Sequence, residues 1–155
     1  MRPGLPLRVD KNGIMKKNEI ILDFCIWDFN DITPDDITRT LGIQPVKVYI
    51  KGQKTNPNFL TLAKRNGWRM GSALDKHASF EDQMNAMLNV IESKIDLFKP
   101  LCEKYYCEFS CALFIYFDNE ESTPWVHLNS RYNRLIKELN IEFDLDLYCR
   151  PNKES

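Results

Sequence analysis

The sequence lacks any apolar run long enough to cross a membrane, and it has little net charge. Its 21 basic residues nearly balance 22 acidic ones, which leaves a formal net charge of -1. General attraction to nucleic acid or to anionic lipid needs an excess of positive charge, so neither is expected of the chain as a whole. No signal peptide is recognisable at the beginning, and we therefore expect a cytoplasmic protein.

Residue types and motifs that carry chemistry are also scarce. Only two histidines occur, and neither a G-x-S-x-G nucleophile motif nor a G-x-x-x-x-G-K phosphate loop is present. Five cysteines without an export signal argue against disulfides, and no two cysteines have the C-x-x-C spacing of a structural zinc site. We expect Cys102, Cys107 and Cys111 to be buried thiols, and we predict a non-enzymatic protein with no catalytic residue, no metal and no cofactor.

Chain length and Pro and Gly content indicate how the chain is divided. Residues 1–14 contain two prolines and two glycines but no sustained apolar pattern, so we predict a flexible arm or a cloning remnant there. The remaining length suits a single α+β domain over residues 15–150, followed by a polar tail at 151–155.

The most informative stretch runs from residue 33 to residue 52. Thr33 is a suitable N-cap for a helix that begins at Pro34, and Gly42 suits a left-handed C-terminal position. Alternating apolar and polar residues then predict a strand over residues 46–50. This stretch therefore predicts a helix, a tight turn and a strand.

Periodicity predicts the other elements. Residues 19–29 alternate as a strand with one apolar face, and the opposite face, including Trp27 and Phe29, is expected to be partly exposed. A short strand follows near residues 67–70. Residues 79–98 have helical spacing, with Ser79 as N-cap and Pro100 enforcing the end.

The last third of the chain predicts a strand, a helix and a strand. Residues 109–117 are apolar on both faces, residues 130–139 form a short helix, and residues 141–148 alternate strictly. In this final strand Leu145 and Leu147 are expected to point into the core. The order predicts an α+β fold with a ferredoxin-like β-α-β-β-α-β core extended by a C-terminal α-β unit. We expect a mostly antiparallel sheet with helices on one face, and the position of the added unit stays open.

A family resemblance rests on the order of several short motifs. An apolar strand is followed by ITPDDIT, LGIQP, KGQ, a later GW, a long amphipathic helix and a closing LDLDLY. This series, over residues 20–148, resembles the bacterial domain-of-unknown-function family 4279. The resemblance implies a small bacterial α+β domain and carries over no catalytic residue.

Strand parity points to one candidate interaction surface. Because the even-numbered residues from 20 to 26 supply the core, Trp27 and Asp23 are expected on the opposite face of the sheet. If the last strand joins the same sheet, Asp144, Asp146 and Tyr148 share that face. An acidic and aromatic surface favours a basic protein partner, as in an immunity-type protein that neutralises a basic toxin.

A local excess of positive charge gives an alternative. Between residues 44 and 76, seven basic residues face a single acidic one, and we call this segment the basic lobe. With aromatic side chains nearby it is suited to an anion, a nucleotide or a nucleic-acid strand. The candidate residues are Lys47, Lys51, Lys54, Arg65, Trp68 and Arg69. A charged surface that binds only water is the third interpretation.

Overall fold

The computed structural model describes residues 15–152. The predicted arm at residues 1–14 and residues 153–155 of the predicted tail lie outside the described residues. Asn152, also in the predicted tail, is buried, and its Oδ1 accepts a hydrogen bond from the backbone N–H of Lys16 at 3.1 Å. The first and last described residues of the chain therefore meet.

The described residues form five strands and four helices in the order β-α-β-β-α-α-β-α-β. The strands are β1 (Glu19–Trp27), β2 (Lys47–Tyr49), β3 (Gly67–Gly71), β4 (Tyr106–Tyr116) and β5 (Glu142–Arg150). The helices are α1 (Pro34–Leu41), α2 (Phe80–Ser93), α3 (Ile95–Lys104) and α4 (Ser130–Glu138). The α+β class predicted from the sequence is confirmed.

The strands form one sheet in the order β2-β3-β1-β4-β5. The pairs β2 with β3, β3 with β1, and β1 with β4 are antiparallel, whereas β4 and β5 are parallel. The sheet is therefore mostly antiparallel, as expected. The C-terminal unit, whose position the sequence left open, extends the sheet beside β4.

The helix starts were predicted correctly because their capping residues are local. The Thr33 hydroxyl accepts from the Asp36 N–H while the Asp36 carboxylate accepts from the Thr33 N–H, a complete capping box. Gly42 ends α1 at a φ of 66°. Ser79 caps α2 through the Asp82 N–H at 3.1 Å.

All four helices pack on the same side of the sheet. Phe24 of β1 meets Phe98 of α3 edge to face, with ring centroids 5.4 Å apart, and Tyr132 of α4 lies 5.7 Å from Phe109 of β4. The indole N–H of Trp68 in β3 donates to the Thr38 hydroxyl of α1 at 3.1 Å. The core lies between these helices and the sheet, and Met84 and Met87 of α2 belong to it.

The prediction that Pro100 ends a single helix was wrong. The helix is interrupted at Lys94, restarts at Ile95 and continues past Pro100 to Lys104. The amide that Pro100 lacks would have bonded to the Asp96 carbonyl. Both residues are exposed, so water can satisfy that carbonyl.

Two burial predictions were also wrong. Phe29 was assigned to the face of Trp27, but Asp28 has a φ of 61°, which turns the chain so that Phe29 is fully buried. Leu145 and Leu147 of β5 lie on the helix side of the sheet, in register with buried Cys111 and Leu113. Yet they are 42% and 60% exposed, because the helices cover only the start of this edge strand, where Phe143 packs against Phe80 of α2 and Tyr132 of α4.

Candidate functional site

The side of the sheet opposite the helices is the candidate site, and we call it the open face. Strand register defines it: Trp27 lies opposite Tyr106 on one neighbouring strand and Gly67 on the other, so all three share a face. In β4 and β5 the same face continues through Phe114 and Tyr148. Each of the five strands contributes to it.

Trp27 lies near one end of the open face, partly exposed. Its indole N–H donates to Glu108 Oε1 at 3.0 Å, and its ring is 5.3 Å from the ring of Tyr49. The Arg65 guanidinium lies 4.1 Å from the centre of the indole, within the range of a cation–π contact. Gly67 permits this arrangement, since a Cβ at that position would overlap the Trp27 ring. Trp27 is therefore held in place yet still reachable from solvent.

Asp23 is on the open face as predicted, but it is neither exposed nor unpaired. Its carboxylate forms an ion pair with Arg69 at 2.8 Å, and only 11% of its side chain is exposed. Burial raises the pKa of Asp23 above its ordinary value, against the opposing effect of Arg69. The Arg69 guanidinium also donates to the Tyr49 hydroxyl at 3.3 Å. Asp23 therefore fixes the position of Arg69 within the open face and does not offer a free carboxylate to a partner.

Cys25 lies between these groups and is completely buried. The face that the sequence predicted to be partly wet is therefore sealed at its centre by its own side chains. Burial raises the pKa of the Cys25 thiol to about 12, so the thiol is neutral near pH 7. Cys25 is a packing residue of the open face.

Sequence reasoning missed a hydrogen-bonded group beside Trp27. The Tyr106 hydroxyl lies 3.0 Å from both Glu108 Oε2 and Glu142 Oε2. Burial and these two carboxylates raise the pKa of Tyr106. The predicted strand began at residue 109, three residues late, and so left both Tyr106 and Glu108 out. Their alternation with buried Cys107 was the available signal.

The far end of the open face carries a second aromatic cluster. The rings of Phe114 and Tyr148 are stacked with centroids 4.8 Å apart. The Arg150 guanidinium lies 5.4 Å from the Phe114 ring and 5.7 Å from that of Tyr148. Asp144 and Asp146 are on the same face of β5 and are exposed. The structure thus brings Asp144, Asp146 and Tyr148 together on β5. Trp27 lies apart from them on β1, on the far side of β4.

The basic lobe divides between the two sides of the sheet. Lys47 lies on the open face with its ammonium 5.8 Å from the Tyr49 ring, and Arg65 stacks on Trp27. Lys51 and Lys54 are exposed in the connection between β2 and β3. Trp68 is fully buried on the helix side, so it is not accessible to an anion, contrary to the alternative prediction. The open face is basic towards β2 and acidic towards β5.

Among residues 15–152 the cysteines and acids form no further candidate site. Cys102, Cys107 and Cys111 are buried in the core, as expected, while Cys149 is exposed on β5. Within residues 15–152 no three His, Cys, Asp or Glu side chains are grouped so that they could hold a metal ion. None of the helices in that range is long and apolar enough to cross a membrane.

The fold and this face define an α+β protein with a five-stranded, mostly antiparallel open sheet, helices on one side and an aromatic, charged surface on the other. The chain belongs to the family described as Domain of unknown function (DUF4279), whose model matches residues 18–150. The resemblance noted from the sequence motifs is therefore confirmed. No curated protein and no solved structure matches the sequence.

Proposed function

We propose that this protein is a non-enzymatic protein-interaction module that binds its partner through the open face of the sheet. The observation that carries the proposal is a pair of aromatic clusters on a face that no helix of residues 15–152 covers, Trp27 with Tyr49 and Phe114 with Tyr148. Aromatic and arginine side chains dominate the binding energy of protein interfaces, and both clusters carry an arginine. Both clusters are already packed, so little side-chain freedom is lost on binding.

The acidic end of the face favours a basic partner. Asp144 and Asp146 are exposed beside Tyr148, and Glu142 lies next to them on the same strand face. Such a cluster speeds association with a positively charged surface and disfavours an acidic one. These features support an immunity-type role, in which the module neutralises a basic toxin.

A cross-linking experiment tests where the partner binds. A photo-reactive benzophenone amino acid replaces Tyr148 in the bacterial cell, and the cross-linked protein is identified by mass spectrometry. A matched version carries it at Leu97, which is exposed on α3. A basic protein captured from position 148 but not from position 97 supports the proposal. Equal capture from both positions contradicts it.

Affinity measurements with the purified partner then test the residues. Trp27→Ala and Tyr148→Ala should each weaken binding by about 2 kcal/mol, or roughly 30-fold in Kd. Trp125→Ala is the matched control, because Trp125 is 66% exposed but lies outside the sheet. Circular dichroism must first show that each variant is folded. A Kd unchanged by both open-face variants would place the interface elsewhere.

Association kinetics test the role of the acids. Replacing both Asp144 and Asp146 by lysine should slow association, and the difference from the wild type should shrink as salt is added, because added ions screen exposed charges. An association rate that does not respond to these changes would remove the argument for a basic partner.

Anion or nucleic-acid binding through the basic lobe is the second candidate. It is favoured by Lys51, Lys54 and Lys64, which are exposed and have no acidic partner among residues 15–152. It is also favoured by Phe59, which is 63% exposed in the same connection between β2 and β3. Retention on heparin and binding of a labelled oligonucleotide, both falling steeply with salt, would support this function over the first. Loss of that retention in a Lys51→Ala, Lys54→Ala, Lys64→Ala variant would locate it.

We also propose that β1 to β4 with their helices form a ferredoxin-like core. The order β2-β3-β1-β4 with antiparallel neighbours supports this interpretation, because β1 and β2 are then the two strands of a split β-α-β unit. An experimentally determined structure tests it through the handedness of the connections between β1 and β2 and between β3 and β4.

A further inference from the structure

β5 is a long strand whose outer edge pairs with no other strand among residues 15–152. It spans nine residues, pairs with β4, and lies at the end of the sheet order in the described part of the chain. The Arg150 carbonyl accepts the Phe117 N–H at 3.1 Å, so the even-numbered residues of β5 direct their backbone groups towards β4. The odd-numbered residues, from Phe143 to Cys149, therefore direct theirs outwards. An added strand would find a complete row of donors and acceptors there.

The side chains of β5 are apolar on the helix side of the sheet and mostly charged on the open face. Leu145 and Leu147 expose 42% and 60% of their surface on the helix side. On the open face the strand carries three acids, Glu142, Asp144 and Asp146, followed by Tyr148 and Arg150. Acidic side chains towards one end of the strand and Arg150 at the other make the strand complementary to its own reverse.

We infer that the protein forms a symmetric dimer in which β5 pairs antiparallel with β5 of a second copy, centred on Leu147. This register places Asp144 opposite the second copy's Arg150, and two-fold symmetry repeats the pair. It also places Asp146 opposite the second copy's Tyr148, and Leu147 opposite its own equivalent. No two acids are directly opposed.

Neighbouring registers are less favourable. Centring the pair on Asp146 aligns all nine residues and sets Glu142 opposite Arg150, but it opposes the Asp146 carboxylate to its own equivalent at the centre. Centring it on Leu145 opposes Asp144 to Asp146 twice. Directly opposed like charges destabilise a strand pair. A centre at Tyr148 avoids this cost, but it pairs fewer residues because the strand ends at Arg150. Opposed carboxylates disfavour the centres at Asp146 and Leu145, and the shorter overlap disfavours the centre at Tyr148, which leaves Leu147.

The dimer would be one continuous ten-stranded sheet. An antiparallel pair within a sheet has its two-fold axis perpendicular to that sheet, so both open faces lie on the same side. On the opposite side Leu147 meets its own equivalent, and Leu145 lies opposite the second copy's Cys149. The pairing thus removes both long free edges and part of the exposed apolar surface at once.

Light scattering coupled to size-exclusion chromatography provides the first test. At about 100 μM chain the wild type should have twice the monomer mass, and Leu147→Glu should shift the dissociation constant at least tenfold towards monomer. Leu147 is 60% exposed, so the variant should fold, which its melting temperature checks. Leu97→Glu on α3 and Val48→Glu on the opposite edge strand should leave the dimer unchanged. A monomeric wild type, or a dimer broken by Val48→Glu instead, overturns the inference.

A charge swap tests the register. Asp144→Arg alone should weaken the dimer, and Asp144→Arg with Arg150→Asp should restore it, because the opposed pair is then reversed rather than broken. If instead Glu142→Arg weakens the dimer and Glu142→Arg with Arg150→Glu restores it, the register is the one centred on Asp146. If Asp146→Arg weakens the dimer and Asp146→Arg with Arg150→Asp restores it, the register is the one centred on Tyr148. Either result overturns the Leu147 register.

Disulfide formation gives an independent check. In the proposed register residue 145 faces the second copy's Cys149 in a hydrogen-bonded pair, whose Cα separation of about 5.5 Å suits a disulfide. Leu145→Cys should therefore yield a covalent dimer under mild oxidation, and adding Cys149→Ser should abolish it. A covalent dimer that survives the second change would mean that position 145 meets itself, which the inference excludes.

Discussion

Ile91 tests the core at the scale of a single residue. Its side chain is fully buried on the face of α2 that meets the sheet. Ile91→Ala should lower the free energy of unfolding by about 2–5 kcal/mol, because it removes buried methylene groups and leaves a cavity. Urea denaturation monitored by tryptophan fluorescence measures the change.

Leu97→Ala is the matched control for Ile91→Ala. Leu97 is 42% exposed on α3, so its truncation should cost clearly less. A loss below about 0.5 kcal/mol for Ile91→Ala would show that this face of α2 is not part of the core.

Asp31 should make stability depend on pH. Hydrogen bonds from the Lys104 ammonium and from the Tyr105 hydroxyl, the latter at 2.6 Å, lower the pKa of Asp31 to about 2. Because this folded-state pKa lies below the unfolded value, the stabilisation is fully present above about pH 4 and is lost as the pH falls to about 2. The stability difference between wild type and Asp31→Asn should therefore shrink over that range.

A double-mutant cycle separates this effect from general acid unfolding. In a background of Lys104→Met with Tyr105→Phe, Asp31→Asn should change stability little at any pH, since both hydrogen-bond donors are already gone. If Asp31→Asn has the same pH-dependent effect in both backgrounds, these two residues are not its cause.

At the scale of elements, the break between α2 and α3 joins distant parts of the chain. Lys94 lies at the break, and its ammonium donates to the Leu41 carbonyl at the end of α1 at 2.7 Å. A cation at the negative end of a helix is favourable. The interruption between α2 and α3 thus positions the Lys94 ammonium as a C-terminal cap for α1.

Removing this cap should destabilise the protein by about 1 kcal/mol. Lys94→Met keeps most of the apolar stem and removes the charge, and thermal or urea unfolding measures the loss. Lys99→Met, at an exposed position of α3, is the control and should change the stability little. Equal effects of the two substitutions would mean that the Leu41 contact contributes nothing.

The elements that the sequence predicted well are those whose ends are fixed locally. The Thr33 and Ser79 caps and Gly42 act within one turn of the chain, so their residue types suffice. The end of α2 was mispredicted because Pro100 is a strong local signal, whereas the Lys94 contact joins residues 53 positions apart. A contact between residues so far apart cannot be read from the local sequence, so the proline alone decided where the helix was predicted to end.

At the scale of the whole molecule, the thiols should divide into one reactive and four protected groups. Cys149 is exposed, whereas Cys25, Cys102, Cys107 and Cys111 are buried. Burial raises the pKa of Cys25 and that of Cys111 to about 12. Because the thiolate is the reactive form, a colorimetric thiol reagent should rapidly titrate one thiol in the native protein and five after denaturation.

Cys149→Ser controls the thiol count. This variant should show no rapid reaction in the native state, and its melting temperature should be unaffected by reductant. Rapid reaction of more than one thiol in the wild type would mean that the core opens readily or that its packing differs.

The candidate site could be predicted only as far as strand parity reaches. Alternation along β1 and β5 was enough to put Trp27, Asp144, Asp146 and Tyr148 on one face. It could not reveal that Asp23 is buried against Arg69, because that contact depends on which residues of β1 and β3 are paired. Nor could it reveal the exposure of Leu147, which follows from the position of β5 at the sheet edge. Pairing and edge position are properties of the assembled sheet.

The contact between Trp27 and Gly67 also constrains how this chain can diverge. The indole occupies the space that any side chain at position 67 would need, and Tyr49 approaches the same space from the other side. A mutation at Gly67 alone is therefore penalised while the indole remains. Loss of the ring removes the two shortest contacts of the added Cβ, after which only a smaller shift, of Tyr49 Cδ2 at 2.9 Å, is needed. Among descendants of this sequence, substitution at position 27 should come first and substitution at position 67 second, so that the two positions carry a record of their order of change.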